Sequence, residues 1–224
     1  MDKNANIVNL IVDGKEIKAS EGANLLRVCL DNEIYVPNLC YLKEMEHPPA
    51  SCRLCFVAIE GYPQPVTSCT EVVREGMVVM TDTPEVRRLQ KSAFELLLSV
   101  RRISFCKTCI ANKRCGLQKI ARFLGVKLRV AHLNRIDVDR EVDHTHPYLD
   151  YDPDKCVLCE RCIFVCGNIN KTPMLSLAHR GLNTSVTFFE SAAILENSCK
   201  GCGACVEICP VGALTLKSHN KVTG

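Results

Sequence analysis

Tryptophan is absent from the 224 residues, and neither sign of charge predominates. The formal net charge of +3 is too mild to argue for a nucleic-acid or anionic-membrane partner. No run approaches the roughly 18 apolar residues that a transmembrane helix needs. The start, MDKNANIVNLIVDGKEIK, mixes charges and lacks an apolar stretch followed by small residues, so it does not read as a secretory signal. Low-complexity tracts are missing. So are a G-x-G-x-x-G turn opening a βαβ unit, a P-loop and any defensible Ser/His/Asp set. No catalytic residue is assigned.

Cysteine is what the chain has in excess: 16 residues. A disulfide scaffold and metal ligation compete to explain them. Disulfide-dense chains are typically short and exported, and this one is neither by its reading. Its cysteines also recur as C-x2-C, a spacing that aims two thiolates at one metal. Metal ligation is the reading adopted, and it implies a reducing compartment, by default the cytoplasm.

Residues 1 to about 81 read as a small α+β unit. Ile7 to Val12 and Glu16 to Lys18 are strand-like around Asp13-Gly14, a favoured hairpin turn. ANLLRVCLDNE has helical spacing, and CFVAIEG and EGMVVMTD read as further strands. Cys40, Cys52, Cys55 and Cys69 at its edge are spaced x11, x2 and x13. That keeps the central C-x2-C and distant fourth ligand of plant-type ferredoxins while departing from their first spacing. Spacing alone leaves zinc and a [2Fe–2S] cluster open. Cys29 reads as a buried packing residue and His47 as a solvated loop residue.

Residues 82 to 148 open with a helix capped by Thr83, with Pro84 first in it and a core stripe of Val86, Leu89, Phe94, Leu97 and Val100. VRRISFCKTCIANKRCG follows, placing Cys106, Cys109 and Cys115 at C-x2-C-x5-C. A soft-metal site usually takes four ligands, and this stretch offers three. QKIARFLGVKL reads as another helix. The polar segment 132 to 155 reads as a linker, and His132, His144 and His146 as ordinary loop residues.

Residues 149 to 224 carry the strongest signal. CVLCERCIFVC supplies Cys156, Cys159, Cys162 and Cys166, and CKGCGACVEICP supplies Cys199, Cys202, Cys205 and Cys209. Both are C-x2-C-x2-C-x3-C, the bacterial two-cluster ferredoxin run, in which the fourth cysteine reaches the other cluster. One [4Fe–4S] cluster is therefore expected on Cys156, Cys159, Cys162 and Cys209. The second is expected on Cys199, Cys202, Cys205 and Cys166. Gly167 replaces the usual proline of the first run, and Gly201 and Gly203 let the second wrap closely.

The ordered set of motifs, with NLCYL, SCRLC, DKCVLCERCIFVC and AHRGLNTSV, resembles one module along its whole length. It is similar to the N-terminal iron–sulfur region of [FeFe]-hydrogenases, the large iron–sulfur subunit of complex I, and the small diaphorase subunit of NAD-linked [NiFe]-hydrogenases. The resemblance implies a β-grasp domain with a [2Fe–2S] cluster, a small helical domain with a [4Fe–4S] cluster on one histidine and three cysteines, and a two-cluster ferredoxin domain. The chain departs from it once. Arg102 stands four residues before Cys106, where the first two families carry that histidine, and Ser104 stands where the diaphorase subunits tend to. Arginine has no free lone pair for iron. The middle site is then empty, or three-coordinated with water or Ser104 completing it, or completed from afar by His132 or Cys29. A filled third [4Fe–4S] site is the expectation, with Arg102 raising its potential.

The implied function is electron transfer. The chain would be a subunit of a cytoplasmic oxidoreductase relaying single electrons between an NAD(P)-linked flavoprotein subunit and a catalytic subunit, such as a hydrogenase or formate dehydrogenase. The chain stops soon after Cys209, so the catalytic domain of [FeFe]-hydrogenases is read as missing. A free-standing polyferredoxin is the alternative, disfavoured because small mobile ferredoxins are often strongly acidic. A redox or iron sensor lacks any DNA-reading element.

Overall fold

The computed structural model describes residues 6–100, 106–129, 133, 140–170, 174–188, 199 and 201–217. Arg102, Ser104 and His132, named above for the middle site, lie outside the described residues. The chain forms two compact units, Met1–Glu95 and Leu96–Gly224. Among the described residues no helix is long and apolar enough to cross a membrane.

In the first unit, strand β1 (Ile7–Val12) alternates exposed and buried residues, sending Val8, Leu10 and Val12 into the core. It pairs with antiparallel β2 (Lys15–Ser20) across the expected turn, where Asp13 and Gly14 both take positive φ, 49° and 79°. Those angles match the twist of a two-residue hairpin. The Asp13 carboxylate accepts from Thr81 N–H (2.7 Å) and Thr81 Oγ1–H (2.6 Å), tying the turn to the end of β5 (Met77–Met80). Strand β5 runs parallel to β1 and antiparallel to β3 (Phe56–Ile59), and β4 (Val66–Thr67) closes the sheet in the order β2-β1-β5-β3-β4.

Helix α1 (Leu25–Asp31) lies where the helical spacing was read, and its Leu25, Leu26, Val28 and Cys29 enter the core. Burying a leucine contributes about 2 kcal/mol, so Leu25 and Leu26 alone hold the helix down against its short length. Asn24 caps it, accepting from Arg27 N–H at 3.1 Å.

Helix α2 (Pro84–Ser99) starts as expected, with Val86 N–H donating to Thr83 Oγ1 at 3.1 Å. Its buried row differs from the expected stripe. Val86, Gln90, Phe94 and Leu98 are buried, whereas Leu89, Leu97 and Val100 are half-buried. These four are spaced by four residues, one ridge of a helix. Gln90 was passed over as polar. It enters because its amide donates to Phe56 O (3.0 Å), which offsets part of its desolvation.

The second unit uses short elements: α3 (Gly116–Leu124), β6 (Leu149–Tyr151), α4 (Arg161–Asn170), the hairpin β7 (Leu175–Ala178) and β8 (Ser185–Phe188), α5 (Ala204–Glu207) and β9 (Leu214–Leu216). Strands β6 and β9 pair antiparallel, and α4 packs on α5. The described part of the segment read as a linker is ordered. Arg140 bonds to Leu182 O (2.6 Å) and faces Asp154 (3.5 Å), and Asp143 bridges to Tyr151. Internal hydrogen bonds satisfy polar residues that read as loop in sequence.

The loop before α3 packs on the segment after Cys209. Gly116 N–H donates to Pro210 O at 2.7 Å. A Cβ on Gly212, at φ +70°, would stand 2.9 Å from Ala111 Cβ. Gly212→Ala is therefore expected to cost about 2 to 4 kcal/mol, from overpacking plus left-handed strain. Gly181→Ala, with φ +60° and open space, should cost only about 1 to 2 kcal/mol. Thermal unfolding of the two variants checks the order.

Candidate metal centres

The first cysteine group sits at the edge of the five-stranded sheet. Cys40, Cys52, Cys55 and Cys69 are all buried, and none forms a disulfide. They stand as two pairs. The Cys40 and Cys52 sulfurs are 3.4 Å apart, and the Cys55 and Cys69 side chains are hydrogen-bonded to each other. Two thiolates on one tetrahedral metal sit about 3.8 Å apart, so the first pair is near ligating distance. The hydrogen bond with Cys52 holds Cys40 down at about 6, and Cys52 itself is pushed up. The bond with Cys69 likewise lowers Cys55 while Cys69 is raised. Each pair thus shares a proton that a metal ion would displace. The loop is fixed by Ser68 N–H and Oγ–H donating to Cys55 O, each 2.9 Å, and by Asn24 donating to Cys69 O at 2.7 Å. Asn24 thus caps α1 and anchors the fourth cysteine.

Cys106, Cys109 and Cys115 lie on a run of turns, half-buried. Cys109 N–H donates to Cys106 O (3.3 Å) and Asn112 N–H to Cys109 O (2.9 Å), while Cys115 precedes α3. Burial raises the Cys115 thiol. The N–H groups of Gln118 and Leu117 at the start of α3 oppose that, and the charges of Cys109 and Cys106 add to it. The three sulfurs therefore sense one another.

The ferredoxin runs fold into two loops of matching backbone. Leu158 and Glu160 in the first, and Gly201 and Gly203 in the second, hold φ of 52°, 61°, 61° and 73° at corresponding positions. That conformation is free for glycine and costs leucine or glutamate about 1 to 2 kcal/mol. In the first loop Leu158 N–H donates to Cys156 Sγ at 3.4 Å, and Ala213 N–H donates to Cys209 Sγ at 3.3 Å.

Two cavities result. One is lined by Cys156, Cys159, Cys162 and Cys209, with Tyr151 and Leu214 among its walls. The other is lined by Cys166, Cys199, Cys202 and Cys205, with His146 and Leu175 among its walls. Cys209 thus faces the first run and Cys166 the second. Burial pushes Cys159 and Cys205 each up to about 12. Burial raises Cys162 too, and the charges of Cys159, Cys156 and Cys209 raise it further. Four thiolates in an apolar cavity are tolerable only around a cationic group. Among the described residues no three His, Cys, Asp or Glu side chains converge to hold a single ion. Sulfurs spread round a cavity fit a cluster in which each iron takes one cysteine.

Cys29 lies in the core of the first unit, pushed up to about 12 by burial and then by the Asp13 charge, as suits a packing residue. His47 is exposed beside Glu46, and His144 bonds to Asp150 at 2.7 Å. His146 departs from its reading as a loop residue. It is 1 % exposed, and burial depresses it to about 4. Nothing in the polar run DHTHP signals this, because burial depends on strands distant in sequence.

Residues 5–84 match the family described as "2Fe-2S iron-sulfur cluster binding domain", and residues 146–215 match "NADH-quinone oxidoreductase subunit 3, ferredoxin-like domain". The likeness read from the motifs is borne out. The chain is 32 % identical over 213 residues to an NADPH-Fe(3+) oxidoreductase subunit alpha of Geobacter sulfurreducens, covering 94 % of this chain and 24 % of that protein. It is 30 % identical over 219 residues to the NADP-reducing hydrogenase subunit HndD of Solidesulfovibrio fructosivorans, covering 93 % and 36 %. The chain thus spans about a quarter to a third of these relatives. A solved structure titled as an NAD+-reducing [NiFe]-hydrogenase in the H2-reduced state holds a chain that superposes with TM-score 0.82. Identity there is 26 %, covering 97 % of this chain and 90 % of that one. The chain carries a 2Fe-2S domain and a ferredoxin-like domain of mixed α/β structure.

Iron should hold the second unit together more than the first, whose seventeen-residue buried core includes only Cys55 and Cys69 of the four candidate ligands. After anaerobic chelation, limited proteolysis with mass spectrometry is expected to cut between residues 96 and 217 before it cuts residues 6–95. First cuts inside the sheet of the first unit would reverse that ranking.

Proposed function

We propose that the chain is an electron-relay module of a multi-subunit oxidoreductase. It passes single electrons between an NAD(P)-linked flavoprotein subunit and a catalytic subunit of hydrogenase type. The observation that carries the reading is the pair of cavities, each lined by three cysteines of one ferredoxin run and the fourth of the other. When bound, iron–sulfur clusters supply one-electron carriers with no open position for substrate. The residues set their environment.

In this reading residues 1–81 are a β-grasp domain whose [2Fe–2S] cluster takes one iron on Cys40 and Cys52 and the other on Cys55 and Cys69. Their pairing in the fold supports that division. Residues 82–148 hold the middle site on Cys106, Cys109 and Cys115. Residues 149–224 hold one [4Fe–4S] cluster on Cys156, Cys159, Cys162 and Cys209 and another on Cys199, Cys202, Cys205 and Cys166. The packing of Gly116 on Pro210 and of Ala111 by Gly212 supports the middle site as neighbour of the Cys209 cluster. Cys202 is the exposed ligand, which suits hand-over to a partner.

Iron and acid-labile sulfide on the anaerobically purified chain test the cofactors. About 14 irons per chain are expected if every site fills. Cys109→Ala should lower the count by up to about 4 and Cys29→Ser should leave it unchanged. Stoichiometric zinc with traces of sulfide overturns the reading, and about 10 irons unaltered by Cys109→Ala shows the middle site empty.

The relay itself has a separate check. NADH should reduce the clusters only when the flavoprotein subunit is added. NADH turnover by the flavin-free chain alone would refute the subunit role.

A further inference from the structure

His146 is one of the most buried side chains of the second unit, and it lines the cavity shared by Cys166, Cys199, Cys202 and Cys205. Its ring is held on two sides. Tyr148 N–H donates to Nδ1 at 3.1 Å, and the Phe188 ring lies 4.5 Å away between centroids. A backbone N–H can only donate, so Nδ1 is the acceptor and the neutral ring carries its proton on Nε2. No described residue accepts from that N–H. Nδ1 is thus satisfied within the chain, and Nε2–H is the remaining donor of a ring that lines the cavity. Apart from the cysteine sulfurs, the other lining residues are Leu149, Met174, Leu175, Gly201, Gly203 and Ala204, none with a side-chain oxygen.

The geometry points to a hydrogen bond from His146 Nε2–H to a sulfur of the cluster held by Cys166, Cys199, Cys202 and Cys205, raising that cluster's reduction potential. The inference rests on the ligand set proposed above. The physical cause is charge. Reduction adds an electron to the cluster, and a donor aimed at sulfur stabilises the more negative state. The twin cavity has no histidine and is tuned by other groups, the Arg161 charge acting on its Cys159 among them. Its side chains with polar ends are Tyr151, whose hydroxyl accepts from Val186 N–H at 3.1 Å, and Glu160, whose carboxyl burial raises. His146 is a positioning and tuning residue, since it ligates nothing.

The test uses the whole chain, cluster-loaded and reduced anaerobically, with 15N-labelled histidine. Cys202→Ser first identifies the electron paramagnetic resonance signal of the cluster concerned. Electron–nuclear double resonance should find a weak 15N coupling on that signal in the wild-type chain. In redox titrations His146→Leu should lower the potential of the same signal, making reduction about tenfold less favourable, or about 59 mV for one electron. The twin signal should stay in place, and His146→Gln, which keeps an N–H donor, should recover much of the shift. No 15N coupling on the assigned signal of the wild type overturns the inference, whatever the variants do. Equal shifts of both ferredoxin signals overturn it as well. If Cys202→Ser alters no [4Fe–4S] signal, the ligand set itself fails and this inference falls with it.

Discussion

The cost of burying thiolate governs the rest of the structure. Ten of the 16 cysteines are buried, and burial drives Cys159 and Cys205 to about 12. At neutral pH such groups stay protonated unless a cation replaces the proton. Metal binding is then coupled to proton release and to folding. The two cavities of the second unit make sense as thiol-lined spaces built to close on a positively charged cluster. The paired sulfurs of the first unit follow the same logic, each pair standing within hydrogen-bonding reach as two ligands of one metal would.

The units meet this constraint differently. The first has a sheet of five strands, a helix and a contiguous apolar core in which fourteen of seventeen buried residues are not cysteines, so most of its packing does not depend on the candidate ligands. The second is assembled from strands of three or four residues and short helices. Elements that short bury little apolar area, and small domains of this kind need a staple. Clusters bridging the two ferredoxin runs would serve as staples, because each joins Cys166 of α4 or Cys209 after α5 to the opposite loop. Electron carrier and structural tie are then the same group.

Much of this was legible in the sequence. Asp13-Gly14 specified its hairpin by turn chemistry, Thr83 its cap by hydrogen bonding, and the C-x2-C-x2-C-x3-C runs their loops by spacing. What escaped was set by long-range packing. Gln90 enters the buried row of α2 because Phe56 O, thirty-four residues away, accepts from it. His146 is buried because the hairpin strand carrying Phe188 closes over it. The pairing of Cys40 with Cys52 and of Cys55 with Cys69 also needed the fold, since three spacings do not say which sulfurs meet.

The matched loops of the two ferredoxin runs show how like motifs are made unlike. Both need left-handed backbone at the second and fourth residues after the first cysteine, since that turns the chain round the cavity. The Cys199 run meets the need with glycines and leaves Cys202 exposed, while the Cys156 run forces Leu158 and Glu160 into it and keeps Cys156, Cys159 and Cys162 buried. Side chains at those positions exclude water, and exclusion of water disfavours the more highly charged reduced state. Glu160, when ionised, acts the same way by adding negative charge at the cavity wall. In the proposed relay, burial and the Glu160 carboxylate pull the Cys156 cluster down in potential against the opposing Arg161 charge, while exposure pulls its twin up. Electrons reaching the Cys156 cluster from the middle site would then pass on toward the exposed Cys202.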